Sequence, residues 1–240
     1  MQIHGFNKFT LLDYPGHIAC TVFTGHCNMR CPFCQNASLV LFPETQPAIP
    51  EEEFFSFLKK RRGILEGVCV TGGEPTLSTD LPDFLAKIHE LGYLIKLDTN
   101  GTNPAILTQL ITDKLVDYIA MDIKSSLSGY PAAIGIPGFS TAAIEESVAL
   151  LLQNTVPYEF RTTVVRELHS KQEFLDIANW IKGARAYYLQ AFQDSGELIS
   201  HFCPDTAPTP ILTGYTKKEL EDFVALLAPY VQTIGLRGID

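Results

Sequence analysis

Positive charge is scarce in this chain. Eighteen Lys and Arg stand against 27 Asp and Glu, a formal net charge of −9. The longest basic run, Lys59-Lys60-Arg61-Arg62, follows an apolar helical stripe and reads as a solvated helix end. A surface of this sign repels phosphate backbones, so nucleic acid is not an expected partner. Long apolar runs are missing too, and none approaches the roughly 18 residues that mark a membrane-spanning helix. Met1 to Thr10 carries no basic-then-apolar leader. The expectation is a cytoplasmic protein with no membrane partner. Repeats and low-complexity tracts are absent, and six cysteines in a reducing compartment do not make a disulfide framework. A tight cysteine cluster is then read first as a metal or catalytic site.

What is present is a chain of 240 residues, 46% hydrophobic. That is enough for one large core and a single domain over residues 1–240. Short, nearly continuous apolar runs at Ile18 to Phe23, Val68 to Thr71, Tyr93 to Leu97, Val116 to Met121, Tyr158 to Val165 and Ala186 to Phe192 predict buried strands. Between and after them, helical spacing covers Glu51 to Arg61, Leu81 to Leu91, Pro104 to Thr112, Ala142 to Gln153, Lys171 to Ile181 and Lys217 to Leu227. Asn103 with Pro104, Ser170, and Thr79-Asp80 stand where helix N-termini are expected. Strand–helix alternation implies right-handed crossovers and a parallel sheet, with function at the carboxyl ends of the strands. Gln35 to Pro50 and Asp194 to Thr213 read as long loops, of the kind that act as lids or docking segments.

Cys27-Asn-Met-Arg-Cys31-Pro-Phe-Cys34 follows the first of these strands with the spacing C-x3-C-x2-C. A structural zinc site usually closes with four ligands, whereas three cysteines on a four-iron cluster leave one iron open to substrate or cofactor. A zinc reading needs a fourth ligand from His26, Cys20, Cys69 or Cys203. Cys20 and Cys69 lie inside strands and read first as small core hydrophobes.

This loop, with Phe33 just before its last cysteine, resembles the radical S-adenosylmethionine superfamily. The resemblance implies an incomplete (β/α)6 barrel, a [4Fe-4S] cluster on Cys27, Cys31 and Cys34, and reductive cleavage of S-adenosylmethionine to a 5′-deoxyadenosyl radical. Thr71-Gly72-Gly73-Glu74-Pro75 is similar to the segment that holds the cofactor's amino group, with Glu74 as acceptor; taken alone it is an ordinary strand-to-helix turn. Leu97-Asp98-Thr99-Asn100-Gly101 and Met121-Asp122-Ile123-Lys124 resemble segments of glycyl radical enzyme activases. There, the residues at Asp98, Thr99, Asp122 and Lys124 contact the cofactor and a monovalent cation. The alternatives are a plain turn at Asn100-Gly101 and an ion pair between Asp122 and Lys124. Arg161, a charge in an apolar strand, is placed either at the cofactor carboxylate or in a barrel-lining salt bridge.

From Gly5 to Gly238 the chain is most similar to anaerobic ribonucleoside-triphosphate reductase activating proteins, on the Leu12-Asp13-Tyr14-Pro15-Gly16 stretch and the lack of a cysteine-rich insertion. The implied partners are that reductase, whose glycine would lose a hydrogen atom, and a flavodoxin- or ferredoxin-type electron donor. A radical enzyme acting on a small molecule, such as the deazapurine-forming branch, and a non-enzymatic zinc-stapled module are the competing readings.

Overall fold

The computed structural model describes residues 1–202 and 211–239. Its eight-stranded sheet runs in the order β1 to β8: β1 Ile3–Thr10, β2 Ala19–Thr24, β3 Gly67–Gly72, β4 Leu94–Thr99, β5 Tyr118–Asp122, β6 Tyr158–Val164, β7 Tyr187–Ala191 and β8 Ile234–Arg237. The helices are α1 Ala37–Leu41, α2 Glu51–Lys60, α3 Leu81–Glu90, α4 Pro104–Thr112, α5 Tyr130–Ala133, α6 Ala142–Leu152, α7 Lys171–Trp180, α8 Ile199–Phe202 and α9 Lys217–Leu227. Each strand from β2 to β7 is followed by helix, which is the α/β class of an incomplete (β/α)6 barrel. No helix among the described residues is long and apolar enough to cross a membrane.

Three expectations need correction. The sheet has two strands beyond the expected six, β1 antiparallel on β2 and β8 parallel to β7. β1 is only partly buried and mixes Asn7 and Lys8 with its apolar residues, and β8 has only four residues, so neither gives a continuous apolar run. Second, Gln35 to Pro50 contains α1 and a 3-10 turn at Pro43–Thr45; both are shorter than a helical period pattern can reveal. Third, Asp80 stands at the N-cap of α3 as expected but makes no side-chain cap bond; its carboxylate accepts from the Ser78 hydroxyl at 2.8 Å and pairs with the Met1 amino group. Cys203, with residues 203–210 of the expected second loop, lies outside the described residues.

Contacts divide the chain into two compact units. The first comprises Met1–Asn28, Ser38–Ala120 and Thr155–Pro157. Parallel register aligns Thr21, Cys69 and Lys96 in one row and Cys20, Val68 and Ile95 in the next, which faces the other way. Outside the sheet, Phe54 of α2 stacks on Phe84 of α3 with ring centroids 5.7 Å apart. Both rings are buried, and each contributes about 2–3 kcal/mol of apolar burial. Glu51, Glu52 and Glu53 open α2 while Lys59 and Lys60 close it on exposed positions, the polarity that the helix dipole favours.

The second unit comprises Met29–Ala37, Met121–Asn154 and Tyr158–Asp240. Phe160, Phe174, Ile177 and Tyr187 are fully buried in it. Ser170 caps α7 by accepting from the Glu173 amide at 3.2 Å, and Thr216 with Glu219 forms a reciprocal capping box on α9. Glu159 on β6 is fully buried and receives both arms of the Arg237 guanidinium from β8. The same guanidinium lies 3.9 Å from the centre of the Tyr188 ring.

Candidate active site

In the first unit, the turn after β3 lies flush against the chain leaving β2. The Gly73 amide donates to Thr24 O at 2.9 Å and the Glu74 amide to His26 O at 2.7 Å. A Cβ on Gly73 would stand 1.8 Å from His26 O, and one on Gly72, whose φ is +120°, would stand 2.3 Å from Thr24 N and O. The two glycines therefore allow close backbone approach, and the backbone they approach is the entry to the cysteine loop. His26 itself takes a φ of 61°, a turn of the chain immediately before Cys27.

Glu74 is 2% exposed and its carboxylate is satisfied within the chain. Oε1 accepts from the Thr76 amide at 3.0 Å, the Thr99 hydroxyl at 2.9 Å and the Thr76 hydroxyl. Oε2 accepts from the Asn100 amide at 2.6 Å. Burial pushes the carboxyl up while these donors pull it down. Glu74 thus braces the ends of β3 and β4 together. Beyond it, the Asn100 side chain reaches Asn28 and the Cys27 sulfur.

Lys96, Asp98 and Cys69 form a further cluster that the sequence reading did not assemble. Lys96 is 1% exposed and ion-paired with Asp98. Its Nζ lies 3.8 Å from Cys69 Sγ, which is 3.7 Å from Asp98 Oδ1. The signal was available: residues two apart on a strand share a face, so Lys96 and Asp98 form a pair just as Asp122 and Lys124 do. Cys20, as expected, is a core thiol, pushed up to about 12 by burial.

In the second unit, Cys31 and Phe33 are buried and Cys34 is partly exposed. The loop that carries them is pinned by the Arg30 amide donating to Ile134 O at 2.9 Å, the Ile199 amide to Cys34 O at 3.1 Å and the Ser200 amide to Pro32 O at 3.1 Å. Burial raises the Cys34 thiol, and the Lys124 charge opposes that rise. Asp122 accepts from Arg161 Nε at 2.9 Å and Lys124 Nζ at 3.0 Å. Burial pushes its carboxyl up, but the two cations outweigh that and hold it down at about 2. The ion-pair alternatives for Asp122, Lys124 and Arg161 are therefore present as contacts.

His169, also missed, is buried against the Phe33 ring with centroids 6.5 Å apart. Its Nδ1 accepts from the Val165 amide at 3.0 Å and its Nε2 meets Lys124 O at 2.8 Å. An amide only donates and a carbonyl only accepts, so the ring is neutral with its proton on Nε2. Burial holds its pKa below the ordinary imidazole value.

Three thiols within eight residues form a soft donor set that suits an iron–sulfur cluster. Among the described residues no three His, Cys, Asp or Glu side chains converge as they would on one metal ion. Of the residues that the resemblance places at the cofactor and a monovalent cation, Asp98 pairs with Lys96, and Asp122 with Lys124 and Arg161. By residue type the three thiols thus suit the cluster.

A cysteine loop after the first parallel strand, backed by a Gly-Gly-Glu turn, defines a class of enzymes that begin their chemistry at an iron–sulfur cluster. The chain belongs to the radical SAM superfamily, whose family model matches residues 21–181, and the cofactors of that family are a [4Fe-4S] cluster and S-adenosylmethionine. It is 28% identical over 242 residues to a candidate glycyl-radical enzyme activating enzyme of Methanocaldococcus jannaschii, covering 99% of this chain and 96% of that one. A GTP 3′,8-cyclase of Helicobacter pylori is 36% identical over 247 residues, covering 94% of this chain and 66% of the cyclase. Two solved structures share the fold. One is SuiB of Streptococcus suis, with a TM-score of 0.67 at 14% identity over 91% of this chain and 48% of that one. The other is a domain of a pyruvate-formate lyase-activating enzyme of Bacteroides vulgatus, with a TM-score of 0.56 at 15% identity over 72% and 99%.

Proposed function

We propose that this radical SAM enzyme activates a glycyl radical enzyme, with an anaerobic ribonucleoside-triphosphate reductase as its protein substrate and a flavodoxin- or ferredoxin-type protein as its electron donor. The observation that carries this reading is the end-to-end match to the Methanocaldococcus protein; the cyclase extends well beyond the matched part. On this reading Cys27, Cys31 and Cys34 hold the cluster, and all 240 residues serve one reaction.

When bound, S-adenosylmethionine and the reduced cluster supply a carbon radical able to take a hydrogen atom from a glycine Cα. The chain's part is placement and charge. Lys124 and Arg161, held by Asp122, offer positive charge to the cofactor carboxylate. Gly72 and Gly73 shape the turn beside Cys27, Glu74 and Thr99 hold that turn to the end of β4, and Asp98 and Phe33 would be further residues that hold the cofactor.

The test is anaerobic incubation of the cluster-loaded chain with S-adenosylmethionine, reductant and the reductase, read by electron paramagnetic resonance. A glycyl radical doublet on the reductase is expected. A second reading, action on a nucleotide, draws on the 36% identity to the cyclase. It would replace the first if no doublet formed while a purine nucleotide was converted, with 5′-deoxyadenosine formation depending on that nucleotide.

A further inference from the structure

Asn100 is 5% exposed, and its carboxamide is fixed in orientation by its partners. Oδ1 accepts from the Thr102 amide at 3.0 Å and the Thr102 hydroxyl at 2.7 Å. Because a backbone amide can only donate, the oxygen must face Thr102 and the NH2 group must face away from it. On that side it meets Asn28 Oδ1 at 2.9 Å and Cys27 Sγ at 3.8 Å. Asn28 closes the ring by donating to the Thr102 hydroxyl at 2.9 Å. The Asn100 backbone is anchored in turn by the buried Glu74 carboxylate at 2.6 Å. All four hydrogen-bonding positions of the amide are thus used, and one N–H is aimed at the sulfur of the first cysteine of the loop.

We infer that Asn100 is a positioning residue that sets the reduction potential of the cluster through its N–H···S contact with Cys27. The inference rests on Cys27 being a cluster ligand, as the proposed function has it. A hydrogen bond donated to a ligand sulfur stabilises negative charge there, and the reduced cluster carries one more electron than the oxidised one. The bond is therefore stronger in the reduced state and makes the cluster easier to reduce. Glu74 acts through the same chain of contacts by holding the Asn100 backbone.

The experiment is a redox titration of the anaerobically reconstituted full chain, followed by electron paramagnetic resonance, for wild type, Asn100→Leu and Thr102→Val. Asn100→Leu keeps the volume and removes the N–H. Its potential is expected to fall, with a reduced fraction on the order of tenfold lower at fixed poise, which is ~59 mV for one electron. Thr102→Val keeps the backbone amide that orients Asn100, and wild-type potential is expected. If Asn100→Leu takes up no iron, Asn100→Ala replaces it in the same titration. An unshifted potential, or failure of both Asn100 variants to assemble a cluster, overturns the inference, because Asn100 would then matter for assembly alone or not at all. Failure of wild type itself to assemble a [4Fe-4S] cluster would instead remove the reading on which the inference rests.

Discussion

Replacing Glu74 by Gln tests whether this residue braces the site or waits for a ligand. Each carboxylate oxygen accepts one backbone amide, Thr76 on Oε1 and Asn100 on Oε2. Hydroxyl donors can rotate away from a new NH2 group, but backbone amides cannot. Whichever way a glutamine amide is turned, its NH2 group faces an N–H. One buried donor is left unsatisfied, at about 1–3 kcal/mol, and the remaining bonds lose their charge assistance. Relief from burying a charge offsets part of this, so the net loss expected is about 2 kcal/mol. Against a total stability of about 5–15 kcal/mol this is large, and with a urea slope of about 2 kcal/mol per molar it moves the unfolding midpoint by ~1 M. The assay is equilibrium urea unfolding of the metal-free chain, followed by circular dichroism. A midpoint unchanged within about 0.2 M, combined with weaker S-adenosylmethionine binding by the loaded protein, would refute the brace and return Glu74 to the role of ammonium acceptor.

Other consequences follow from the same geometry. His169 is neutral in the fold with a depressed pKa; its contribution is fully present above the ordinary value near 6.5 and is lost as pH falls toward the lower folded value. The urea midpoint of wild type should therefore drop between about pH 7 and pH 5, and His169→Gln, weaker at pH 7, should show a shallower drop. Lys96→Met leaves Asp98 without its ammonium and should cost about 3 kcal/mol. Adding Asp98→Asn should recover part of that loss in a double-mutant cycle, and strict additivity of the two changes would show that the pair does not interact. Gly73→Ala, with its Cβ driven against His26 O, should abolish iron uptake, whereas Gly5→Ala, which meets nothing within 4 Å, should behave as wild type.

The six inner strands were legible because each reads as a nearly continuous apolar run with no exposed residue, and the six longer helices because each keeps a helical stripe. β1 was not, since Asn7 and Lys8 interrupt its apolar residues, and β8 was too short to show a period. At the site, the C-x3-C-x2-C loop announces its chemistry through spacing alone. The partners around it do not, because they come from distant positions: Asn100 finds Asn28 across 72 residues and Glu74 across 26. Asn100 therefore read as either a plain turn residue or a ligand contact, with nothing to tie it to Cys27. Lys96 sat inside an apolar run and was absorbed into the strand, although its spacing from Asp98 carried the clue.

The latch between Glu159 and Arg237 sets a clock on synthesis. The carboxylate leaves the ribosome 78 residues before its guanidinium, a gap of roughly 4 to 16 seconds at ordinary elongation rates. Until β8 emerges, the second unit folds without this two-armed contact between β6 and β8. The contact that joins β6 to β8 is thus among the last that the described chain can make.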